Sequence, residues 1–319
     1  MDKQTDTAIA RRTFLGGAAA MAASVAAAGP AMSPADTGAP VGIYSRHLQW
    51  TGPLEAIVVA KALGFSAIEW SVRPGSHIEP ANAARDLPRI AAATRAAGLA
   101  APMITANILD GDNPVTRGIM EACRAADIGL IRGGVAYPFE PEQDRQAQIE
   151  AAGRRIATVA AAARTYDVAV AFHTYSTPGA IGGGIWDLLP VMQRFDPAQV
   201  GFNYDTGHVV ARTGQGWSDA LAAAGRHILS VSAKDFLWAH GPRGWQPEWV
   251  PVGTGMVDMP GHLQLLRQIG FEGPLILQAE HHGLLGRNYG EGGPAVPRVE
   301  FDQLLRRDRE ALAAAFSNS

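Results

Sequence analysis

The sequence predicts a single (β/α)8 barrel that begins near Val41. Two observations carry this prediction. Eight short apolar runs alternate with eight longer segments of helical period, and several of the helical segments end at a glycine directly before the next run. Near-continuous apolar strands are typical of a parallel sheet buried on both faces, and eight strand–helix units close such a sheet into a barrel. No G-x-G-x-x-G motif follows the first strand, so we expect no nucleotide cofactor.

Most of the predicted strands are rich in Val, Ile, Leu or Phe, and the predicted helices between them are rich in Ala and Leu. The strands are Val41–Ser45, Ala67–Val72, Leu99–Thr105, Leu130–Gly134, Val168–Thr174, Val200–Asp205, Ile228–Asp235 and Pro274–Glu280. The helices are Leu54–Leu63, Leu87–Ala97, Val115–Ala126, Gln146–Arg164, Ile185–Arg194, Trp217–Ala224, Leu263–Ile269 and Phe301–Phe316. Gly64, Gly98 and Gly270 mark helix ends, because glycine adopts the left-handed conformation that ends a helix at little cost.

The first forty residues differ from the rest of the chain. Arg11-Arg12-Thr13-Phe14-Leu15 precedes a mild, alanine-rich apolar run from Gly16 to Ala28, a pattern that resembles a twin-arginine (Tat) export signal. A short amphipathic helix or a membrane anchor is the alternative interpretation, but the run is shorter than the roughly 20 residues that span a bilayer. We therefore predict a signal peptide and linker over residues 1–40, a barrel domain over residues 41–319, no stable membrane insertion, and a periplasmic or secreted protein.

Composition excludes several classes of function. The chain has 27 Lys and Arg against 30 Asp and Glu, a net charge of −3, which argues against a broad basic face for nucleic acid. Its one cysteine, Cys123, excludes an intramolecular disulfide and a cysteine-cluster zinc site. The oligomeric state stays open, with a homo-oligomer as one possibility.

Ionisable side chains stand at or just after most of the predicted strands. Active sites of (β/α)8 barrels lie at the carboxyl ends of the strands, and burying an unpaired charge is expensive. The sequence therefore predicts an enzyme with its site at this end of the barrel. The residues concerned are Glu69, His77, Arg132, Tyr137, His173, Asp205, His208, Lys234 and Glu280.

Several of these residues lie in short segments that together resemble a known family. The segments are Gly64-Phe65-Ser66-Ala67-Ile68-Glu69, Asp205-Thr206-Gly207-His208, Ala233-Lys234-Asp235, Val252-Gly253-Thr254-Gly255-Met256-Val257-Asp258 and the strand-eight Glu280. In this order, over about residues 41–316, they resemble the xylose isomerase-like TIM barrels. This is the sugar phosphate isomerase/epimerase superfamily, which also contains endonuclease IV.

The resemblance implies one divalent metal, Mn²⁺ or Mg²⁺ with Zn²⁺ as a further option. In the family, the ligands are a Glu, an Asp, a His and a Glu from strands five to eight. Asp205 and Glu280 match two of them, whereas His173 stands at the strand-five place and Ser232 at the strand-seven place. A set of His173, Asp205 and Glu280 suits an ion that accepts mixed nitrogen and oxygen ligands, and His208, three residues past Asp205, is either a further ligand or a group that binds a substrate hydroxyl. The alternative is a site without metal, in which Lys234 supplies the positive charge.

The resemblance also implies a reaction, namely removal of a proton beside a carbonyl of a sugar or keto-sugar to give an enediolate. Reprotonation would make an isomerase or epimerase, and loss of a leaving group would make a keto-glycoside lyase. Glu280 or His173 is the expected base, and Lys234 or the metal would stabilise the oxyanion. The expected substrate-binding residues are Arg132, His208, Glu69, His77, Tyr137 and Trp238, the last in an aromatic loop over residues 236–249.

Other interpretations remain open at this point. Asp205 could cap the following helix, and Lys234 or Arg132 could form internal ion pairs. The altered ligand set also fits a non-catalytic sugar-binding barrel that has lost its metal, because a fold does not fix a function. An endonuclease IV-like phosphodiesterase is disfavoured by the acidic balance of the chain and by the altered ligands.

Overall fold

A computed structural model describes residues 40–134, 137–176, 178–181, 184–242, 244–281 and 294–317. In it, eight parallel strands close into a barrel, and the last strand pairs with the first through Leu275 and Val41. We number the barrel strands β1 to β8 in chain order: Val41–Tyr44, Ala67–Val72, Ile104–Ala106, Leu130–Arg132, Ala169–His173, Val200–Asp205, Ile228–Ala233 and Leu275–Leu277. The predicted (β/α)8 barrel is confirmed. The predicted export signal falls within residues 1–39, outside the described part of the chain.

Helices follow the strands and bury apolar faces against them. They are α1 to α9 in chain order: Pro53–Ala62, Ala83–Ala96, Pro114–Ala125, Arg145–Thr165, Ile185–Met192, Thr206–Thr213, Trp217–Ala224, Met259–Gln268 and Arg298–Ser317. The main core lies between the strands and these helices, with Trp70 and Phe202 among its largest fully buried side chains. In the described ranges, no helix is both long enough and apolar enough to cross a membrane.

The interior of the barrel is apolar in one part and polar in the rest. A small separate cluster of Tyr44, Met103 and Ile276, with Leu130 packed against it, forms the apolar part. The polar residues of the strands are buried almost completely, although branched apolar residues fill most barrels of this kind. They are Glu69, Ser71, Thr105, Arg132, Asn203, Asp205, Ser230 and Ser232. Buried polar groups need partners, so this interior is organised by hydrogen bonds.

Several observed bounds differ from the predicted ones by a few residues; β8, for example, ends at Leu277 and not at Glu280. Three differences are larger. β3 begins at Ile104 and not at Leu99, because Pro102 has no amide hydrogen to donate to a neighbouring strand. The segment predicted as an aromatic loop over residues 236–249 is instead an antiparallel hairpin, in which Asp235–Gly241 pairs with Gly244–Val250. We call it the rim hairpin. Its alternating aromatic side chains suit the faces of a two-stranded ribbon.

The third difference is α6, a short helix directly after β6 that the sequence analysis did not predict. It contains Gly207 and two adjacent valines, Val209 and Val210, which are weak helix formers. Asp205 compensates by capping the helix, and its Oδ1 accepts the backbone N–H of His208 at 2.9 Å. Asp205 therefore has the structural role that the sequence left open as an alternative.

Candidate active site

Lys234 lies at the centre of the polar groups at the carboxyl end of the barrel. It follows β7 and is 2% exposed. Its Nζ donates to Oε2 of Glu280 at 3.1 Å, lies 3.3 Å from Oδ2 of Asp205, and lies 2.7 Å from Nε2 of His208. The ammonium group also lies 4.2 Å from the ring centroid of Trp249 on the rim hairpin. One buried cation thus holds together the ends of β6, β7 and β8.

The two carboxylate oxygens of Asp205 have different roles. Oδ1 caps α6, whereas Oδ2 makes no hydrogen bond within the described ranges and has Lys234 as its ionic neighbour. Burial raises the pKa of Asp205 to about 6, against the opposing effect of the Lys234 charge. The carboxylate is therefore a buried anion with one oxygen left for a cation or for a substrate hydroxyl.

His173 at the end of β5 faces the same oxygen, and its tautomer follows from its other contact. Its Nδ1 lies 2.6 Å from Oδ1 of Asn203, which also accepts from Ser232 Oγ, so Nδ1 carries the proton. Burial, and then the charges of Arg132 and Lys234, hold the pKa of His173 well below 6.5. The ring is neutral, and its Nε2 lone pair lies 3.9 Å from Asp205 Oδ2. Two acceptors therefore face each other.

His208 on α6 completes this side of the site. Its Nδ1 contacts the hydroxyl of Ser176 at 2.8 Å, and its ring packs edge-on against Tyr175 and Trp249 at centroid distances of 4.4 and 4.9 Å. Burial, followed by the Lys234 charge, holds the pKa of His208 well below 6.5. This histidine is neutral at pH 7.

Three of these side chains are close enough together to bind one metal ion. His173, Asp205 and His208 each offer a ligand atom, and the three atoms lie within 4.8 Å of one another. Two neutral imidazoles with one carboxylate suit a divalent ion that accepts nitrogen and oxygen, and the facing acceptors of His173 and Asp205 need a cation between them. The donor set therefore fits a metal. It differs from the predicted set, because His208 takes the place of Glu280, whose carboxylate binds Lys234.

A second group of polar residues lies on the β1–β4 side of the barrel. Arg132 Nε donates to Oε1 of Glu69 and to Oγ1 of Thr105, each at 2.7 Å, and Gln278 Nε2 donates to the other Glu69 oxygen at 3.2 Å. Arg132 and Glu69 thus form the internal ion pair that the sequence left open. The guanidinium also stacks over Tyr44, 4.5 Å from the ring centroid.

His47, after β1, is a buried residue in this second group. The backbone N–H of Ala279 donates to its Nε2 at 3.0 Å, so the proton of the neutral ring lies on Nδ1. Burial, followed by the charges of His281, Arg132 and Lys234, holds the pKa of His47 well below 6.5. These charges place His47 in the electrostatic field of the site.

His77, Tyr137 and Trp238 were also predicted to bind substrate, but their contacts are with other parts of the chain. The Nε2 of His77 contacts the carbonyl of Thr51 at 3.1 Å, and its ring packs edge-on against Trp70. The hydroxyl of Tyr137 donates to the carbonyl of Leu109, and its ring faces Arg155 of α4. Trp238 is 40% exposed on the rim hairpin and contacts Phe236.

Sequence reasoning missed Asn203 and Tyr175, and it included Trp249 only as one aromatic of the segment over residues 236–249. Trp249 is the hairpin aromatic that contacts Lys234, and Asn203 and Tyr175 orient or contact the histidines. A signal was available for Asn203, since it lies two residues before Asp205 in β6 and so points to the same face of the strand. The aromatic content of residues 236–249 was the signal for Trp249, but its contact with Lys234 depends on the register of the hairpin.

Solved structures share this architecture at low sequence identity. The IolI protein with a bound zinc atom aligns with a TM-score of 0.68 at 14% identity, covering 88% of this chain and 98% of that one. D-psicose 3-epimerase from Clostridium cellulolyticum H10, solved with D-tagatose, gives 0.66 at 14% identity and covers 87% and 99%. The 3-keto-D-glucoside 4-epimerase from E. coli gives 0.62 at 13% identity and covers 85% and 99%. At these identities the likeness shows the fold.

The family is shown by a second comparison. No match is found among the curated proteins. Residues 57–306, by contrast, match the model of a family described as the xylose isomerase-like TIM barrel. The match spans most of the barrel, including the strand ends that carry Glu69, Arg132, His173, Asp205 and Lys234. The chain therefore belongs to the xylose isomerase-like TIM barrel family.

Proposed function

We propose that this protein is an isomerase or epimerase of a sugar or keto-sugar, acting by removal of a proton beside a carbonyl group. The observation that carries the proposal is the Lys234 ammonium, which lies 3.1 Å from the Glu280 carboxylate and 3.3 Å from that of Asp205. A base next to a buried cation is what formation of an enediolate requires, because negative charge develops on the carbonyl oxygen as the proton leaves.

Glu280 is the base in this proposal. Its side chain is 21% exposed, whereas those of Asp205 and Lys234 are at most 2% exposed, so it is the member of the three that a substrate reaches most readily. Lys234 donates to the developing oxyanion, and Asp205 keeps the ammonium in place. His208 contacts the ammonium from the other side through its Nε2.

A divalent metal would be held by His173, Asp205 and His208, and would supply a Lewis acid that polarises the substrate carbonyl. The neutral tautomer of His173, fixed by Asn203, keeps its Nε2 lone pair ready for such a ligand role. Zn²⁺ suits two imidazoles and a carboxylate best, and the likeness to a zinc-bound protein agrees with that preference. Titration of EDTA-treated protein with Zn²⁺ and Mn²⁺ tests this part, and we expect H173A to weaken the binding at least tenfold.

Two other functions remain as competitors. A sugar-binding barrel without activity would use the same polar groups, and the absence of proton exchange would reveal it. An endonuclease IV-like phosphodiesterase has less support. The described part of the chain brings together one ligand group of three residues, and the chain carries a net charge of −3. The likeness to two sugar epimerases favours the proposed function.

The proposed reaction is tested by exchange of substrate hydrogen with deuterium. A panel of ketohexoses and 3-keto-glucosides is incubated with the protein in D₂O, and loss of the proton signal beside the carbonyl is followed by NMR. We expect exchange with at least one substrate, and we expect E280Q to abolish it while the circular dichroism spectrum stays unchanged.

A matched control is E310Q on α9, where Glu310 is an exposed carboxylate paired with Arg309 at 3.2 Å. It should exchange at the rate of the unmodified protein. Near-normal exchange in E280Q would contradict the role given to Glu280. A lack of exchange across the panel, together with tight binding of a sugar, would favour the binding protein.

We also propose that residues 1–40 direct export by the twin-arginine route, on the strength of Arg11-Arg12 and the apolar run that follows. A reporter fused to these residues should reach the periplasm, and R11K/R12K should keep it in the cytoplasm. Export that persists in the double variant would contradict the proposal.

A further inference from the structure

We propose that the substrate carries a carboxylate, as a sugar acid does, and that Arg132 and His47 bind it on the β1–β4 side of the barrel mouth. This inference rests on the proposed function and adds to it the chemical class of the substrate. Its basis is a set of buried hydrogen-bond donors that have no acceptor in the described part of the chain.

Arg132 is the first of these donors. It is 3% exposed, and both of its described hydrogen bonds, to Glu69 and to Thr105, come from Nε. Its Nη2 is buried and has no partner within the described ranges. Leaving a charged donor buried and unpaired is expensive, and such groups concentrate where a ligand completes them. A planar guanidinium also matches the geometry of a carboxylate.

His47 is the second donor, and its chemistry is fixed by a backbone contact. Because Ala279 N–H donates to Nε2, the neutral ring must present an N–H at Nδ1. That nitrogen is buried and also has no partner in the described residues, and the residue is 1% exposed. His47 therefore offers a donor and not an acceptor, which is what an anionic oxygen requires.

Arg132 and His47 both pack against the ring of Tyr44. Arg132 Cζ lies 4.5 Å from the centroid of the Tyr44 ring, and the His47 ring packs edge-on against the same ring at 5.6 Å. Burial acts to lower the pKa of Arg132, and the charges of Glu69, Tyr44 and Asp205 outweigh it, so the guanidinium keeps its charge. Arg132 and His47 therefore both lie against the Tyr44 ring, where one carboxylate can meet both donors.

The charge balance on this side favours an anionic group on the substrate. Arg132, Arg73 and Arg46 carry one positive charge each, and Glu69 carries one negative charge, so cations outnumber anions here. The Nε of Arg73 is likewise buried without a partner in the described part of the chain. A carboxylate supplies one negative charge, and its two oxygens match the planar guanidinium of Arg132.

Binding of matched acids and amides tests the inference. Calorimetry on the full chain compares D-glucuronate, D-galacturonate and D-gluconate with their primary amides, which keep the shape and lose the charge. We expect at least one acid to bind about 10- to 100-fold more tightly than its amide. Equal binding within every pair, no binding of any acid at 10 mM, or tighter binding of glucose 6-phosphate than of the acids would overturn it.

Variants show whether Arg132 is responsible. E69Q/R132Q removes both members of the ion pair, which avoids leaving one charge buried alone, and it should abolish the preference for the acid. E69Q alone should increase the preference, because Arg132 then has no competing carboxylate. R85Q is the matched control, since Arg85 is exposed and pairs with Asp86 at 2.9 Å. A preference that survives in E69Q/R132Q would refute the assignment.

The binding test of the carboxylate site and the exchange test of the proposed reaction can fail independently of each other. Deuterium exchange in neutral sugars without any preference for acids would overturn the carboxylate site and leave the proposed reaction intact. Preferential binding of acids without exchange in any sugar would support the site and contradict the reaction.

Discussion

Replacement of Lys234 by methionine is the sharpest test of the site, because it removes one buried charge and keeps nearly the same side-chain volume. The ammonium has polar neighbours at 2.7, 3.1 and 3.3 Å, and methionine offers none of them a partner. Two carboxylates, those of Asp205 and Glu280, are then left close together without a cation.

The expected loss of unfolding free energy in K234M follows from the burial of Lys234 and Asp205. Lys234 is 2% exposed and Asp205 is fully buried, so the attraction between them is little screened by water. Removing one partner of a buried pair typically costs about 3–5 kcal/mol, because the other charge stays desolvated. We therefore expect K234M to lose about 3–5 kcal/mol of unfolding free energy at pH 7.5.

The loss should depend on pH in a defined direction. The pKa of Asp205 is already raised to about 6 in the folded protein, and it rises further when the Lys234 charge is removed. A carboxyl group whose folded pKa is raised contributes stability at low pH, and that stability is lost as pH rises through the folded pKa. The difference between K234M and the unmodified protein should therefore be small at pH 5 and largest above pH 7.

Urea denaturation in the presence of EDTA, at pH 5 and at pH 7.5, measures these free energies. K61M is the matched control, because Lys61 is exposed and donates to the Ala97 carbonyl at the surface. The double variant K234M/D205N should be more stable than K234M by about 1–3 kcal/mol, since it also removes the unpaired charge. A loss below about 1 kcal/mol at pH 7.5, typical of an exposed pair, would refute the reasoning.

One further prediction concerns His262, a buried histidine on α8 that stacks on Trp217, and another concerns the packing around Lys234. Burial lowers the pKa of His262 to about 4, so His262 should contribute a loss of about 3 kcal/mol of stability as pH falls from 6.5 to 4. H262Q should lack this component in urea titrations, and an unchanged pH dependence would contradict the prediction. A Cβ on Gly207 would lie 2.8 Å from Cζ3 of Trp249 and 2.9 Å from Cγ of Lys234, so G207A should displace Lys234, slow deuterium exchange and cost about 1–3 kcal/mol. G118A, whose Cβ would meet nothing within 4 Å, is its control, and exchange at the full rate in G207A would show that Lys234 has not moved.

The periodic features of the chain were predictable because they are local. The β2 and β6 boundaries agree with the predicted ones, since each strand is rich in apolar and aromatic residues and contains no proline. β3 was misplaced because one proline interrupts its run, and α6 was missed because its stability comes from a cap and from packing, not from propensity.

The sequence alone also placed Asp205, Lys234 and Glu280 in one site. All strands of a parallel barrel point the same way, so residues that follow different strands meet at the same rim whatever their distance along the chain. This argument needs the order of the strands and nothing about side-chain geometry. It predicts which residues belong to the site, but not which of them contact one another.

The pairing was decided by the tertiary structure. Arg132 binds Glu69 across 63 positions of the chain, and His208, not Glu280, joins His173 and Asp205 as a possible ligand. A backbone amide fixes which nitrogen of His47 carries its proton. Such contacts depend on differences of about 1 Å between side chains on separate strands, and no pattern along the chain encodes those distances. The chemistry available at the barrel mouth is therefore a property of the folded chain.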